Sequence, residues 1–296
     1  MKHVFIVNKI SGKGQAFKLI STITDIVQQE NLDYQIELTQ HHGHAKEIAS
    51  RYHSSDICLY SVGGDGTLLE VLNGLDQKIP LAIIPAGSGN DFYRMIGEDH
   101  DYRKIIRDSL TSPCKKIDIG MSGNLRFLNT TSFGIDADIN AKASALIRNS
   151  YLQKGSAYLY SIFTNVLFPH AKHMRIIADG VCYEDNYYLV ACMNGRYYGN
   201  GILVSPESDP KDGFFELCLL REIPRLKIYS FLMKYMHGNH IGYEGFEIIK
   251  AKHIVIDADK EISCQSDGEN YSVTHIELKI KEHWLTLKVP PYLNIL

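Results

Sequence analysis

Along the first third of the chain, short apolar runs of strand character alternate with stretches whose apolar residues recur at helical spacing. Val4 to Val7, Tyr34 to Leu38, Ile57 to Ser61 and Leu81 to Ile84 read as strands. Between them, Gln15 to Gln29 places Phe17, Leu19, Ile20, Ile23, Ile26 and Val27 on or near one helical face. Ala45 to Tyr52, Leu68 to Leu75 and Asp101 to Leu110 read as further helices. This alternation predicts a doubly wound α/β domain on a parallel sheet, with ligands at the carboxyl ends of its strands.

Past the segment Lys115 to Gly120 the pattern changes to strand-like runs joined by turns. These are Phe127 to Thr131, Met174 to Ile177, Tyr187 to Met193, Phe214 to Leu220, His253 to Ala258, Val273 to Ile280 and Trp284 to Val289. They predict an antiparallel β domain, a sandwich. Two helical inserts interrupt it, one from Ala141 to about Phe168 with a break near Gly155, the other from Pro224 to His237. The expected division is an α/β domain at 1–118, open to completion by 285–296, and a β-sandwich domain at 119–284.

Composition narrows the classes. A chain of 296 residues is long enough for one large or two ordinary cores. The formal net charge of −3 and the lack of a Lys/Arg-rich run argue against a nucleic-acid binder. Six cysteines (Cys58, Cys114, Cys182, Cys192, Cys218, Cys264) are scattered without a Cys-x-x-Cys, which fits reduced thiols and a cytoplasmic setting. The apolar run at Val4 to Val7 is too short for a signal peptide. No apolar stretch approaches the roughly twenty residues that span a bilayer.

The chemistry concentrates in two glycine-rich turns. Val62-Gly63-Gly64-Asp65-Gly66-Thr67 follows one strand, and Pro85-Ala86-Gly87-Ser88-Gly89-Asn90-Asp91 follows the next. Glycines let the backbone approach an anion and aim its N–H groups at it, and the helix starting at Thr67 adds its positive dipole end. Asp65 and Asp91 are suited to the metal that accompanies phosphates. One such turn alone is at least as well explained as a tight turn. Two of them, spaced for one β-turn-α-β unit, point to a nucleotide phosphate cradle. It is neither a P-loop, since no Gly-Lys-Ser/Thr follows, nor a Gly-x-Gly-x-x-Gly dinucleotide turn.

These two turns resemble the diacylglycerol-kinase catalytic-domain family, which includes soluble bacterial lipid kinases and is related to sphingosine kinases and more distantly to NAD kinases. The resemblance runs along nearly the whole chain. Asn8 with Ser11-Gly12-Lys13-Gly14 is similar to the family's opening Asn-Pro-x-Ser-Gly-x-Gly loop, with Lys9 where proline is usual. Thr39 and Gly43-His44-Ala45 are similar to its Thr-x-x-x-Gly-x-Ala element. Asp209 to Phe214 and Asp267-Gly268-Glu269 fall where the family has a metal loop and a catalytic Asp-Gly-Glu.

The resemblance implies an ATP- and Mg²⁺-dependent lipid kinase, with diacylglycerol the favoured acceptor. It implies Mg²⁺ at Asp65 and Asp91, hydroxyl donors at Thr67 and Ser88, and a nucleotide pocket lined by Asn8, Thr39 and Glu70. The phosphate-side set is completed by Ser11, Gly12, Gly63, Gly64, Gly66, Gly87, Gly89 and Asn90, with Glu269 assisting metal or nucleotide. Asp267 would be the general base or the group orienting the lipid hydroxyl, although by composition alone Asp-Gly between strands is a hairpin turn. A second, structural Mg²⁺ would take the Asp212 carboxylate and the carbonyls of Asp209 and Phe214; a solvated turn explains that loop equally well.

Other features have plainer readings. His41, His42 and His44 match no metal-ligand spacing and read as loop histidines before a helix. Tyr197 to Gly201 fits substrate contact or a glycine-rich strand connection equally. The helix from Pro224 has an apolar face beside Arg225, Lys227 and Lys234, for which packing is favoured and membrane contact is the alternative. The implied partner is a lipid met at the membrane surface by transient, peripheral contact; a homodimer is compatible with the sequence. The rivals are an NAD kinase and a nucleotide- or lipid-binding regulator without turnover.

Overall fold

Strand β1 (Lys2–Val7) lies between β2 (Tyr34–Leu38) and β3 (Ile57–Gly63), and β4 (Leu81–Pro85) flanks β3, all in parallel register. The chain leaves β1 to one side for β2 and then crosses to the other side for β3. The chain therefore leaves β1 and β3 for helices on opposite faces of the sheet, the arrangement that puts a ligand site at the strands' carboxyl ends. The computed structural model describes residues 1–97, 101–148, 160–161, 164–165 and 169–290.

Helices cover both faces of these strands, as apolar runs buried on two sides require. On one face α1 (Ser11–Gln29) and α4 (Tyr102–Thr111) bury Leu19, Ile23, Ile26 and Ile106 against Phe5, Val7, Tyr60 and Ile84. On the other, α2 (His44–Ala49) and α3 (Asp65–Gly74) bury Ile48, Leu68 and Leu72 against Val4, Ile6, Leu59 and Leu81. The first residues of α1 are not helical: Gly12, Lys13 and Gly14 all have positive φ, so the regular helix starts where the apolar spacing places it, at Gln15.

The second half is β-rich. Strands β7 (Thr130–Gly134), β8 (Lys172–Ala178), β9 (Val181–Met193), β12 (Phe215–Arg221), β13 (Phe246–Ala251), β14 (His253–Ser266) and β15 (Glu269–Lys288) pair antiparallel. β7 and β8 each pair with both β9 and β14, so these four strands close around Phe133, Met174, Ile176, Val190, Ile256 and Cys264. α5 (Ile135–Arg148) follows β7, and α6 (Arg225–Met236) covers the outer side of β9 and β12. A two-stranded ribbon, β10 (Tyr197–Tyr198) and β11 (Ile202–Leu203), stands apart from the main sheet.

The two halves share one sheet. β5 (Cys114–Ser122) pairs along β15 from Ser122↔Leu278 to Cys114↔Lys288, and the far end of β15 adds beside β4 at Leu287↔Leu81. The register slips between Lys281 and Leu285, and His283 there has φ 53°. Fully buried Asp118 fills the irregularity. Its carboxylate accepts the His283 N–H at 2.6 Å and the Gly213 N–H at 2.8 Å. A second tie joins β6 (Leu125–Phe127) to the end of α3. Arg126 donates to the carbonyls of Leu72 and Leu75 and lies over the ring of Trp284, as a cation at a helix C-terminus should.

Several sequence expectations change. Phe127 to Thr131 is two strands, because Leu128 and Asn129 turn their amides onto Asp267. Val273 to Ile280 and Trp284 to Val289 are parts of the single strand β15, and β13 was not anticipated. The insert expected from Ala141 begins earlier, at Ile135; its continuation from 149 to 168 lies largely outside the described residues, as does the 291–296 part of the expected return to the first domain.

Asp118→Ala should lower stability by about 2–4 kcal/mol, since it strands two buried amides without acceptors. Differential scanning calorimetry should show both halves melting earlier together; an unchanged midpoint would contradict the clamp.

Candidate active site

The crevice is built by three loops at the carboxyl ends of β1, β3 and β4. They touch so closely that glycine is required at the contacts. A Cβ on Gly12, whose φ is +59°, would lie 2.2 Å from the Ala86 carbonyl oxygen. One on Gly87 would lie 2.3 Å from Gly64 Cα. Side chains then lock the loops. Asn8 donates to Thr67 Oγ1 at 3.0 Å, Ser11 Oγ to the Ala86 carbonyl at 3.3 Å, and Asn90 folds back to bond both the N–H and the carbonyl of Gly87. A small cleft opens over Gly63, Gly64, Asp65, Leu68, Ile83, Asn90 and Tyr93.

Two carboxylates flank Gly89: a Cβ there would meet Asp65 Oδ2 at 2.8 Å and Asp91 Oδ2 at 3.8 Å. Asp65 Oδ2 accepts the Asn90 N–H at 2.7 Å. Asp91 Oδ2 accepts the N–H of Asn200 at 3.0 Å, a bond from the second half of the chain onto the first. Burial pushes both acids up, and the negative charge of Asp91 pushes Asp65 further. Asp91 Oδ1 is buried and has no hydrogen-bond partner; the Arg94 guanidinium stands 3.7 Å from it. A half-buried acid beside a buried one that disfavours its charge, the second with an orphan oxygen, is a donor set that fits a hard divalent cation.

Asp267 sits at the turn between β14 and β15 with φ 44°. Its carboxylate is cradled by three successive backbone amides, from Leu128 at 2.6 Å, Thr130 at 2.9 Å and Asn129 at 3.0 Å. Burial outweighs these donors and pushes the group up to about 7, with the charge of Asp65 adding to the rise. Asp267 thus belongs to the same electrostatic site as Asp65 although 202 residues separate them in sequence (267 − 65).

The remaining candidates take varied places. Thr39 is buried at the end of β2, its N–H bonded to the Val7 carbonyl beside Asn8. Glu70 turns to the N-terminus of α2, accepting the amides of Gly43 and Ala45. Ser88 is exposed at the loop tip, and Gly66 is exposed in the first turn of α3. Glu269 reaches across the crevice to His42, 3.6 Å away, while His42 also contacts Glu70 at 3.0 Å.

Two findings were not legible in the sequence. Asn200 reaches Asp91 from a turn in which Gly199, Asn200 and Gly201 all have positive φ; the Gly-Asn-Gly run was visible, its target was not. His41, His44 and Glu47 also converge, with ligand atoms within 4.8 Å of one another. His44 Nδ1, however, accepts the Gln40 N–H, which leaves the proton on Nε2 and weakens it as a ligand.

In the 209–214 loop the chain's own donors meet two of the groups expected to hold a second metal. Asp212 accepts the Phe214 N–H at 3.0 Å and the Lys250 ammonium at 2.7 Å, and the Asp209 carbonyl already accepts the Asp212 N–H. Lys250 also lies 3.6 Å from buried Glu216. The chain's own ammonium supplies the positive charge there.

Gly87→Ala should force the two glycine turns apart and, with the turns acting as the phosphate cradle that the sequence suggests, weaken nucleoside triphosphate binding about ten- to a hundredfold, the size expected from overpacking a tight contact. Isothermal titration with Mg·ATP measures it; wild-type affinity would remove the loop contact from nucleotide binding.

Comparison with known proteins agrees with this geometry. A model of the diacylglycerol kinase catalytic domain matches residues 2–122, and one of the YegS C-terminal NAD kinase β sandwich-like domain matches residues 129–289. A Bacillus subtilis protein with the provisional name lipid kinase YtlR is 26% identical over 308 residues, covering 96% of this chain and 98% of its own. The diacylglycerol kinase of the same organism is 26% identical over 234 residues, covering 76% and 74%. A crystal structure of a provisionally assigned diacylglycerol kinase from Bacillus anthracis superposes with a TM-score of 0.78 at 25% identity, covering 98% of both chains. The chain belongs to the diacylglycerol kinase catalytic-domain family, with a YegS-type C-terminal domain as its second half.

Proposed function

We propose that the protein transfers the γ-phosphate of ATP to the hydroxyl of a lipid, diacylglycerol being the favoured acceptor. The observation that carries this reading is the placing of Asp65 and Asp91 on either side of Gly89 where the two glycine turns touch, with Asp267 near enough to feel the charge of Asp65. Phosphoryl transfer is largely a matter of positioning and charge neutralisation. The glycine turns and the start of α3 would hold the phosphates; Asp65 and Asp91 would hold Mg²⁺. When bound, that ion neutralises charge on the phosphates.

Asp267 would accept the hydroxyl proton or orient the hydroxyl. Its amide cradle fixes the carboxylate, and its raised affinity for a proton suits a base working near neutrality. Among the described residues no helix is long and apolar enough to cross a membrane, so the acceptor would be met at a lipid–water surface.

The test is transfer of labelled γ-phosphate from Mg·ATP to a lipid panel in mixed micelles, with NAD⁺ included. Label should enter a lipid; label in NAD⁺ alone would refute the reading. Asp267→Asn should lower kcat by about 10²–10⁴, the usual worth of a general base. Because only the ionised carboxylate accepts a proton, wild-type kcat should rise with pH through about 7 and then level off. The Asn variant should lose that limb. A limb that survives the substitution would assign the titration to another group.

A further inference from the structure

Helix α6 carries two apolar faces. Ile228, Phe231 and Tyr235 point inward, and Phe231 packs among the rings of Tyr235, His240, Tyr243 and Phe246. That face is what anchors the helix to the β domain. On the opposite side Leu226, Met233 and Met236 recur at spacings of seven and three, one stripe of the helix. They are 83%, 60% and 56% exposed, and Ile241 just beyond the helix is 53% exposed. A Leu at 83% exposure contributes nothing to the core, so the folded chain alone does not explain this stripe.

Charge accompanies it. From Ile223 to Tyr243 the sequence holds Arg225, Lys227 and Lys234 and no Asp or Glu, in a chain whose formal net charge is −3. Lys227 is tied to Glu244, and Lys234 lies over the Tyr243 ring. The helix is also wired to the active site. The Tyr235 hydroxyl meets that of Tyr198 at 2.6 Å, Tyr198 donates to buried Asp136 at 2.8 Å, and two residues on, Asn200 holds Asp91.

We propose that the solvent face of α6 is the surface by which the protein docks on an anionic lipid bilayer, its apolar stripe entering the headgroup region and its cations meeting the lipid charge. This rests on the lipid-kinase reading. Apolar side chains flanked by basic ones are what an interfacial helix presents. A second copy of the chain fits the face less well, because two-fold packing would set Arg225, Lys227 and Lys234 against one another.

Co-sedimentation with phosphatidylcholine–phosphatidylglycerol vesicles tests it, using the full chain, Leu226→Glu/Met233→Glu and Arg225→Glu/Lys234→Glu. The wild type should partition to these vesicles, and much less to pure phosphatidylcholine. Each double variant should lose about tenfold or more in partitioning, with phosphoryl transfer to a short-chain, water-dissolved diacylglycerol unchanged. Equal binding by the variants, or no binding by the wild type, would overturn the docking surface. So would a lower molar mass of the variants in sedimentation equilibrium, which would assign the stripe to a second copy. Vesicle binding lost in the variants while no protein transfers phosphate to any acceptor would uphold the surface and strike the kinase reading alone.

Discussion

Everything in this molecule hangs on the two-stranded ribbon of β5 and β15 and on the buried carboxylate that lets it bend. β15 starts at the Asp267 turn and ends beside β4, which feeds the second glycine loop. One continuous strand therefore fixes the distance between the proposed base and the phosphate loops. A plain ladder could not do this, because the strand must change partners midway. The slip between Lys281 and Leu285 frees amides that a sheet would otherwise satisfy, and Asp118 accepts the one at His283. The same carboxylate takes the Gly213 amide, so the register of the ribbon and the loop before β12 are set by one side chain.

The candidate site sets like charges near one another. Asp65, Asp91 and Asp267 are each held by backbone amides, yet burial still raises all three. Amide dipoles orient carboxylates but do not cancel their charge. The arrangement is thus preorganised for an added cation and for a proton, the two species a phosphoryl transfer to a hydroxyl must manage. Elsewhere the chain meets the same problem differently: Asp212 and Glu216 share Lys250, and Glu70 caps α2.

Much of this was legible because local rules governed it. The α/β alternation, both glycine turns and the helix start at Gln15 follow from period, turn chemistry and glycine's freedom. The closures between distant segments were not legible. Nothing near Phe127 announces that Leu128 and Asn129 will leave the ladder for Asp267, and nothing in Gly199-Asn200-Gly201 names Asp91. β13 escaped notice because Phe246 to Ala251 is a short strand at the end of the sheet, paired to β12 across an intervening helix. Nor does the 209–214 stretch announce that Lys250 will meet Asp212, since the place of Lys250 opposite Glu216 is a matter of strand register.

The path of β15 also bears on how the chain is made. β4 is synthesised early, and its neighbour β3 precedes it, but among the described residues its other edge is paired at Leu287. Until some 200 further residues have emerged (287 − 81 = 206), a nascent first domain presents an open apolar strand edge, the kind that pairs with other chains. Vectorial synthesis thus delays this edge contact until β15 has been made. The nucleotide half of this kinase family member acquires its final form only after the half that would supply its base.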